Sequence, residues 1–79
     1  MSKEEIYAKL TETFRNVFMD DSIEIRPETY SADIEGWDSL MQMVLISEVE
    51  KEFGIKFIAK ESCKMQNVGE MVEIILAKL

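Results

Sequence analysis

In Gly36-Trp37-Asp38-Ser39-Leu40 a serine stands where a break in the chain gives way to a helix-forming run. Few other side chains are equipped for chemistry. Histidine is absent, so no imidazole can activate a serine or cysteine or ligate a metal, and the usual hydrolase triads are excluded. Cys63 is the only cysteine. It reads most simply as a small apolar residue, although Lys60 and Lys64 are the cationic neighbours a reactive thiol needs. Asp20-Asp21 with Glu24 lacks the spaced ligands and central glycine of an EF-hand loop, so a solvated acidic turn is expected and no metal site. No pair of carboxylates lies in a stretch that would bury it in a cleft, as acid–base work with a raised pKa demands. No catalytic residue is expected; function must come from a partner or from something added to the chain. Ser39 is left as either a plain helix cap or the place of that addition.

The elements around this serine follow from periodicity. Ser2 and Glu5 have the spacing of a capping box. Ile6, Leu10, Phe14, Val17 and Phe18 then recur at helical intervals with Tyr7 on the flank, which predicts an amphipathic helix of about four turns. From Met19 to Trp37 the period is lost around Asp20-Asp21-Ser22, Pro27 and Gly36. Loops longer than about 12 to 15 residues are usually functional or disordered, but Ile23, Ile25, Tyr30 and Ile34 give this one apolar anchors. A second helix is predicted from Ser39 to Phe53, capped by Asp38 or Ser39 and ended by Gly54. Leu45, Ile46, Val49 and Phe53 form its core stripe. Leu40, Met43 and Val44 form another, which either lies beneath the long loop or stays open as a contact patch. Ile55 and Phe57 lie in a link, a short helix covers Ala59 to Met65, and Asn67 with Glu70 starts a final helix whose stripe is Val68, Met71, Val72, Ile75, Leu76 and Leu79. The expected fold is all-α: a small antiparallel bundle of three long helices plus one short helix, with a long loop between the first two.

Length and charge bound the function. Seventy-nine residues predict one domain spanning 1–79, with a core too small for a large internal active-site cavity. Sixteen acidic against nine basic residues give a net charge of −7, which disfavours nucleic acid and anionic membrane and makes basic proteins the natural partners. No apolar run reaches membrane-spanning length, Met1 to Glu5 lacks the plan of a signal peptide, and an unpaired cysteine suits a reducing compartment. A cytoplasmic monomer is expected.

Asp38-Ser39-Leu40 at a helix start after a long loop, with Phe53-Gly54-Ile55 fourteen residues past the serine and Asn67-Val68 opening the last helix, resembles the acyl carrier protein family over essentially the whole chain. The resemblance implies a carrier, not an enzyme. It implies that a phosphopantetheinyl transferase attaches 4'-phosphopantetheine from coenzyme A to Ser39, with Asp38 and Leu40 helping the transferase recognise the site. Acyl intermediates would ride as thioesters on the arm and be presented to acyl-transferring or acyl-modifying enzymes of fatty-acid, polyketide or other dedicated pathways. The core stripe and last helix would line any acyl cavity.

Departures from the family pattern point to a specialised member. Leu40-Met41-Gln42-Met43-Val44 follows the serine where fatty-acid carriers are acidic, and acids return only at Glu48, Glu50 and Glu52. Ile58, Ala59 and Lys60 replace a proline followed by acids, and Trp37 precedes the aspartate, as a mark of specialisation or as a ring packing the loop end. Partner recognition is expected at Leu40, Met43, Val44 and Glu50, resting more on apolar contact than on charge. The competing reading is an unmodified acidic helical adaptor that binds a protein through the same Leu40, Met43 and Val44 patch.

Overall fold

The computed structural model describes all 79 residues. It contains three long helices, α1 (Lys3–Phe18), α2 (Ser39–Phe53) and α4 (Val68–Lys78), and a short one, α3 (Ala59–Lys64), with no strand. α1 opens on the predicted capping box: Ser2 Oγ accepts the Glu5 N–H at 3.2 Å and Glu5 Oε1 accepts the Ser2 N–H at 3.0 Å. The reciprocal pair satisfies donors that a helix start would otherwise leave free. α1 closes with Met19 in the left-handed region at φ 54°, a conformation that suits glycine better than a side chain.

Burial follows the predicted stripes in the centre of the bundle. Ile6, Leu10 and Phe14 of α1 meet Leu45, Val49 and Phe53 of α2 and Val68, Met71, Val72 and Ile75 of α4, with Ile23, Ile34 and Ile55 contributed by the connections. Val17, Phe18, Ile46 and Leu76 lie at the margin, partly buried. Leu79, at the chain end, is exposed rather than part of the stripe.

The long connection is pinned by polar as well as apolar groups. Arg15 Nε donates to the Ile23 carbonyl at 2.8 Å. Buried Thr29 accepts the Arg26 N–H through Oγ1 at 2.8 Å, and its carbonyl accepts the Val68 N–H at 2.8 Å. The Pro27 carbonyl takes the Gly69 N–H at 2.8 Å. The loop therefore supplies acceptors to the free N–H groups at the start of α4. Tyr30, expected as an apolar anchor, is exposed. Its backbone is extended, so neighbouring side chains point to opposite sides, and Thr29 takes the inward position. A single 3₁₀ turn at Ser31–Asp33 follows, with Asp33 Oδ2 accepting the Tyr30 N–H at 3.1 Å.

α2 spans the predicted range and ends on Gly54 at φ 66°. α3 stops at Lys64, one residue before the predicted end. Glu61 anchors it twice, accepting the Ile58 N–H at 2.9 Å and pairing with Lys78 of α4 at 3.0 Å. At α4, Asn67 Oδ1 accepts the Glu70 N–H at 2.8 Å, while Glu70 turns to the Gln66 N–H, so the cap is half of the reciprocal pattern.

Candidate functional site

Ser39 is the first residue of α2, and Asp38 is its cap. Asp38 has extended backbone; its Oδ1 accepts the Met41 N–H at 2.9 Å and its carbonyl the Gln42 N–H at 2.8 Å. The cap is thus Asp38. That division of labour leaves Ser39 exposed, and neither the Asp38–Met41 nor the Trp37–Gln42 hydrogen bond beside it engages its hydroxyl. The i→i−4 rule leaves the N–H groups of Ser39 and Leu40 without intrahelical acceptors. No acidic residue lies in the first turn of α2, so the positive end of the helix dipole is not neutralised from within the helix.

The approach to Ser39 is set by aromatic packing. Trp37 meets Phe14 edge to face at 5.2 Å between ring centroids and lies 6.1 Å from Phe18. Its Nε1–H donates to Gln42 Oε1 at 2.6 Å. Gly36 before it takes φ 88°, a left-handed conformation that favours glycine. The indole therefore packs the loop end onto α1 and braces the first turn of α2. An open cleft of about 360 Å³ lies alongside, lined by Ser31, Trp37, Asp38, Ser39, Gln42, Met65 and Gln66. Gln42 lies three residues after Ser39, the spacing of helix neighbours, so it was within reach of sequence reasoning. Met65 and Gln66 arrive through the fold and carried no local signal.

Leu40 and Met43 are 69% and 71% exposed, and Val44 is exposed beside them. The second stripe of α2 therefore lies open and not beneath the loop. Glu50 lies on the same helix, but its Oε2 accepts the Phe57 N–H at 2.8 Å, holding the link to α3. Cys63 is an exposed free thiol. Asp20 is occupied within its own turn, accepting the Ser22 hydroxyl at 2.6 Å and N–H at 2.9 Å, which lowers its pKa.

An exposed hydroxyl at a helix start, free backbone donors and an adjacent polar cleft fit a phosphate-linked group on Ser39. The sequence pattern described as "Phosphopantetheine attachment site" matches residues 8–75. The chain is 32% identical over 74 residues to an acyl carrier protein of Myxococcus xanthus, covering 94% of this chain and 94% of that protein. It is 36% identical over 75 residues to the non-reducing polyketide synthase pkdA of Emericella nidulans, covering 95% of this chain but only 3% of the synthase. The solution structure of a holo acyl carrier protein from Geobacter metallireducens superposes with a TM-score of 0.86 at 43% identity, covering 91% of this chain and 83% of that one.

Proposed function

The chain belongs to the acyl carrier protein family, non-catalytic carriers that bear phosphopantetheine, and from that premise we propose that Ser39 is the residue to which the arm is attached. The observation that supports this most directly is the exposed Ser39 hydroxyl at the first position of α2, with capping left to Asp38. In the transfer, Ser39 Oγ loses its proton and forms the phosphodiester, while the bond between the pantetheine phosphate and the nucleotide part of coenzyme A breaks. The Ser39 and Leu40 N–H groups at the positive end of the helix would be the donors available to hold the phosphate. When bound, the arm supplies a thiol that holds an acyl group as a thioester. The tether raises the effective concentration of that group at each enzyme visited.

Asp38 and Leu40 serve transferase recognition in this reading, and Leu40, Met43 and Val44 form the apolar face that acyl-pathway enzymes of fatty-acid or polyketide type engage, with Glu50 at its far end. The 79 residues act as one cytoplasmic, monomeric carrier domain. No helix is long and apolar enough to cross a membrane, which is compatible with that placement. The exposed patch would serve an unmodified adaptor equally well, so the test must read the covalent step. The unmodified protein is incubated with coenzyme A and a broad-specificity phosphopantetheinyl transferase, and intact mass is measured. One adduct is expected on the wild type and none on Ser39→Ala; no adduct on the wild type, or an undiminished one on the variant, overturns the assignment.

A further inference from the structure

The net charge of −7 conceals a basic stretch on α3, the short helix beside α2, whose own start carries one acid, the capping Asp38. Two observations place the ends of α3 beside α2. Its entry is tied to the second half of α2 by the Glu50–Phe57 hydrogen bond, and Met65 just past its end shares a cleft with Ser39 and Gln42 near the start of α2. α3 therefore runs back along α2 toward Ser39. Between Ser39 and Ser47, α2 carries no charge. α3 carries Lys60 and Lys64, both exposed and four residues apart, so they share one face. The five ion pairs of the fold use Lys3, Lys9, Arg15, Lys51 and Lys78, leaving Lys60 and Lys64 without a partner carboxylate. Glu61, the one acid on α3, is held internally by Lys78 and the Ile58 N–H, and Glu50 by the Phe57 N–H. Ile58, at the entry of α3, is exposed.

We propose that the face formed by Leu40 and Met43 of α2 with Ile58, Lys60 and Lys64 docks a partner protein whose apolar contact spot is rimmed by carboxylates. Exposed apolar side chains seat in the spot, and the unpaired ammonium groups meet the rim. Most of the acidic side chains lie away from this face, the loop carrying Asp20, Asp21, Glu24, Glu28, Asp33 and Glu35 and the second half of α2 carrying Glu48, Glu50 and Glu52, while Asp38 at the start of α2 is occupied as its cap. A basic partner surface would meet like charge at α3, which disfavours it. This inference shares the docking face of the reading above but not the attachment at Ser39, so the test uses the unmodified chain and its outcome is separate from the mass measurement.

The probe is a short amphipathic helical peptide with a leucine face and glutamates elsewhere, compared with the same peptide carrying lysines, titrated into isotopically labelled protein and followed by amide chemical shifts. The glutamate peptide is expected to perturb residues 40–44 and 58–64. Its affinity should fall about tenfold in the Lys60→Glu/Lys64→Glu variant, by a smaller factor in Lys60→Gln/Lys64→Gln, and with added salt. Equal or stronger binding of the lysine peptide at the same residues, or unchanged affinity after charge reversal in a variant with wild-type circular dichroism, overturns the proposal. So does binding of phosphatidylglycerol vesicles at these residues with none of the peptide.

Discussion

Asp38 Oδ1 accepts the backbone N–H of Met41 at 2.9 Å, so the residue before the proposed attachment serine is itself a structural cap. The recognition role proposed for Asp38 would therefore share one carboxylate with the cap, and substitution can separate the two. Asp38→Ala should destabilise the protein by about 1 kcal/mol through loss of the cap. Asp38→Asn keeps an oxygen for Met41 and should unfold like the wild type. If transferase recognition reads the negative charge, Asp38→Asn will nonetheless be loaded more slowly than the wild type, as measured by intact mass over time. Equal loading rates would limit Asp38 to capping.

Trp37 braces the same turn from the other side through Phe14 and Gln42. Trp37→Phe retains an aromatic ring but loses the hydrogen bond to Gln42, at a cost of about 1 kcal/mol. Trp37→Ala removes the ring contacts as well and should cost about 3 kcal/mol. Urea unfolding followed by far-UV circular dichroism checks the order; equal effects would mean that the ring contacts contribute nothing.

Gly69 in the first turn of α4 is required by a close approach. A Cβ placed there meets the Pro27 carbonyl oxygen at 3.0 Å, the Pro27 Cβ at 3.2 Å and Asn67 Oδ1 at 3.3 Å. The loop cannot retreat without stretching the Gly69–Pro27 and Val68–Thr29 hydrogen bonds. Alanine has higher intrinsic helix propensity by about 1 kcal/mol, but the crowding opposes it by about 1 to 3 kcal/mol. Gly69→Ala should therefore lower the melting temperature, and hydrogen exchange at Val68 and residue 69 should accelerate. A raised melting temperature would show that the loop yields freely.

Acid should loosen α3. The Ile58 N–H first, and then Lys78, hold the Glu61 carboxyl below the usual glutamate range. Because the folded pKa is the lower one, the folded state binds fewer protons. The stabilisation is complete above the unfolded-state value, roughly pH 4.3, and is lost as pH falls through the depressed folded value. Amide exchange across residues 58–64 should rise in that window, and in Glu61→Gln it should be raised already at neutral pH. Glu5, held down by the Ser2 N–H and hydroxyl, and Asp20, by Ser22, shift in the same direction, so the start of α1 and the Asp20 turn also lose stabilisation on acidification.

The helices were legible in the chain because each is specified by neighbours in sequence. The Ser2–Glu5 box, the stop at Gly54 and the apolar intervals of three and four through Leu45, Val49 and Phe53 and through Val68, Met71, Val72 and Ile75 need no distant information. The candidate serine was legible for the same reason, since a serine after an aspartate at a loop–helix join is a local pattern, though whether Asp38 or Ser39 forms the cap was left open. Thr29 and Tyr30 were not: which of two adjacent side chains turns inward depends on where the extended segment meets α4, and Thr29 does so with its carbonyl on the Val68 N–H of α4 and its hydroxyl on the Arg26 N–H of the loop.

What the sequence by itself determined, then, was the set of helices, most of their buried stripes and a serine at a helix start without catalytic company. Only the tertiary structure decided that Leu40, Met43 and Val44 stay in solvent, that Trp37 closes against Phe14, and that Glu50 and Glu61 are engaged internally. A helix pattern records which side chains are apolar or charged. Whether a given face is covered, and which charges are paired, is settled by residues remote in sequence that packing brings alongside, and those distances are not written in the order of the chain.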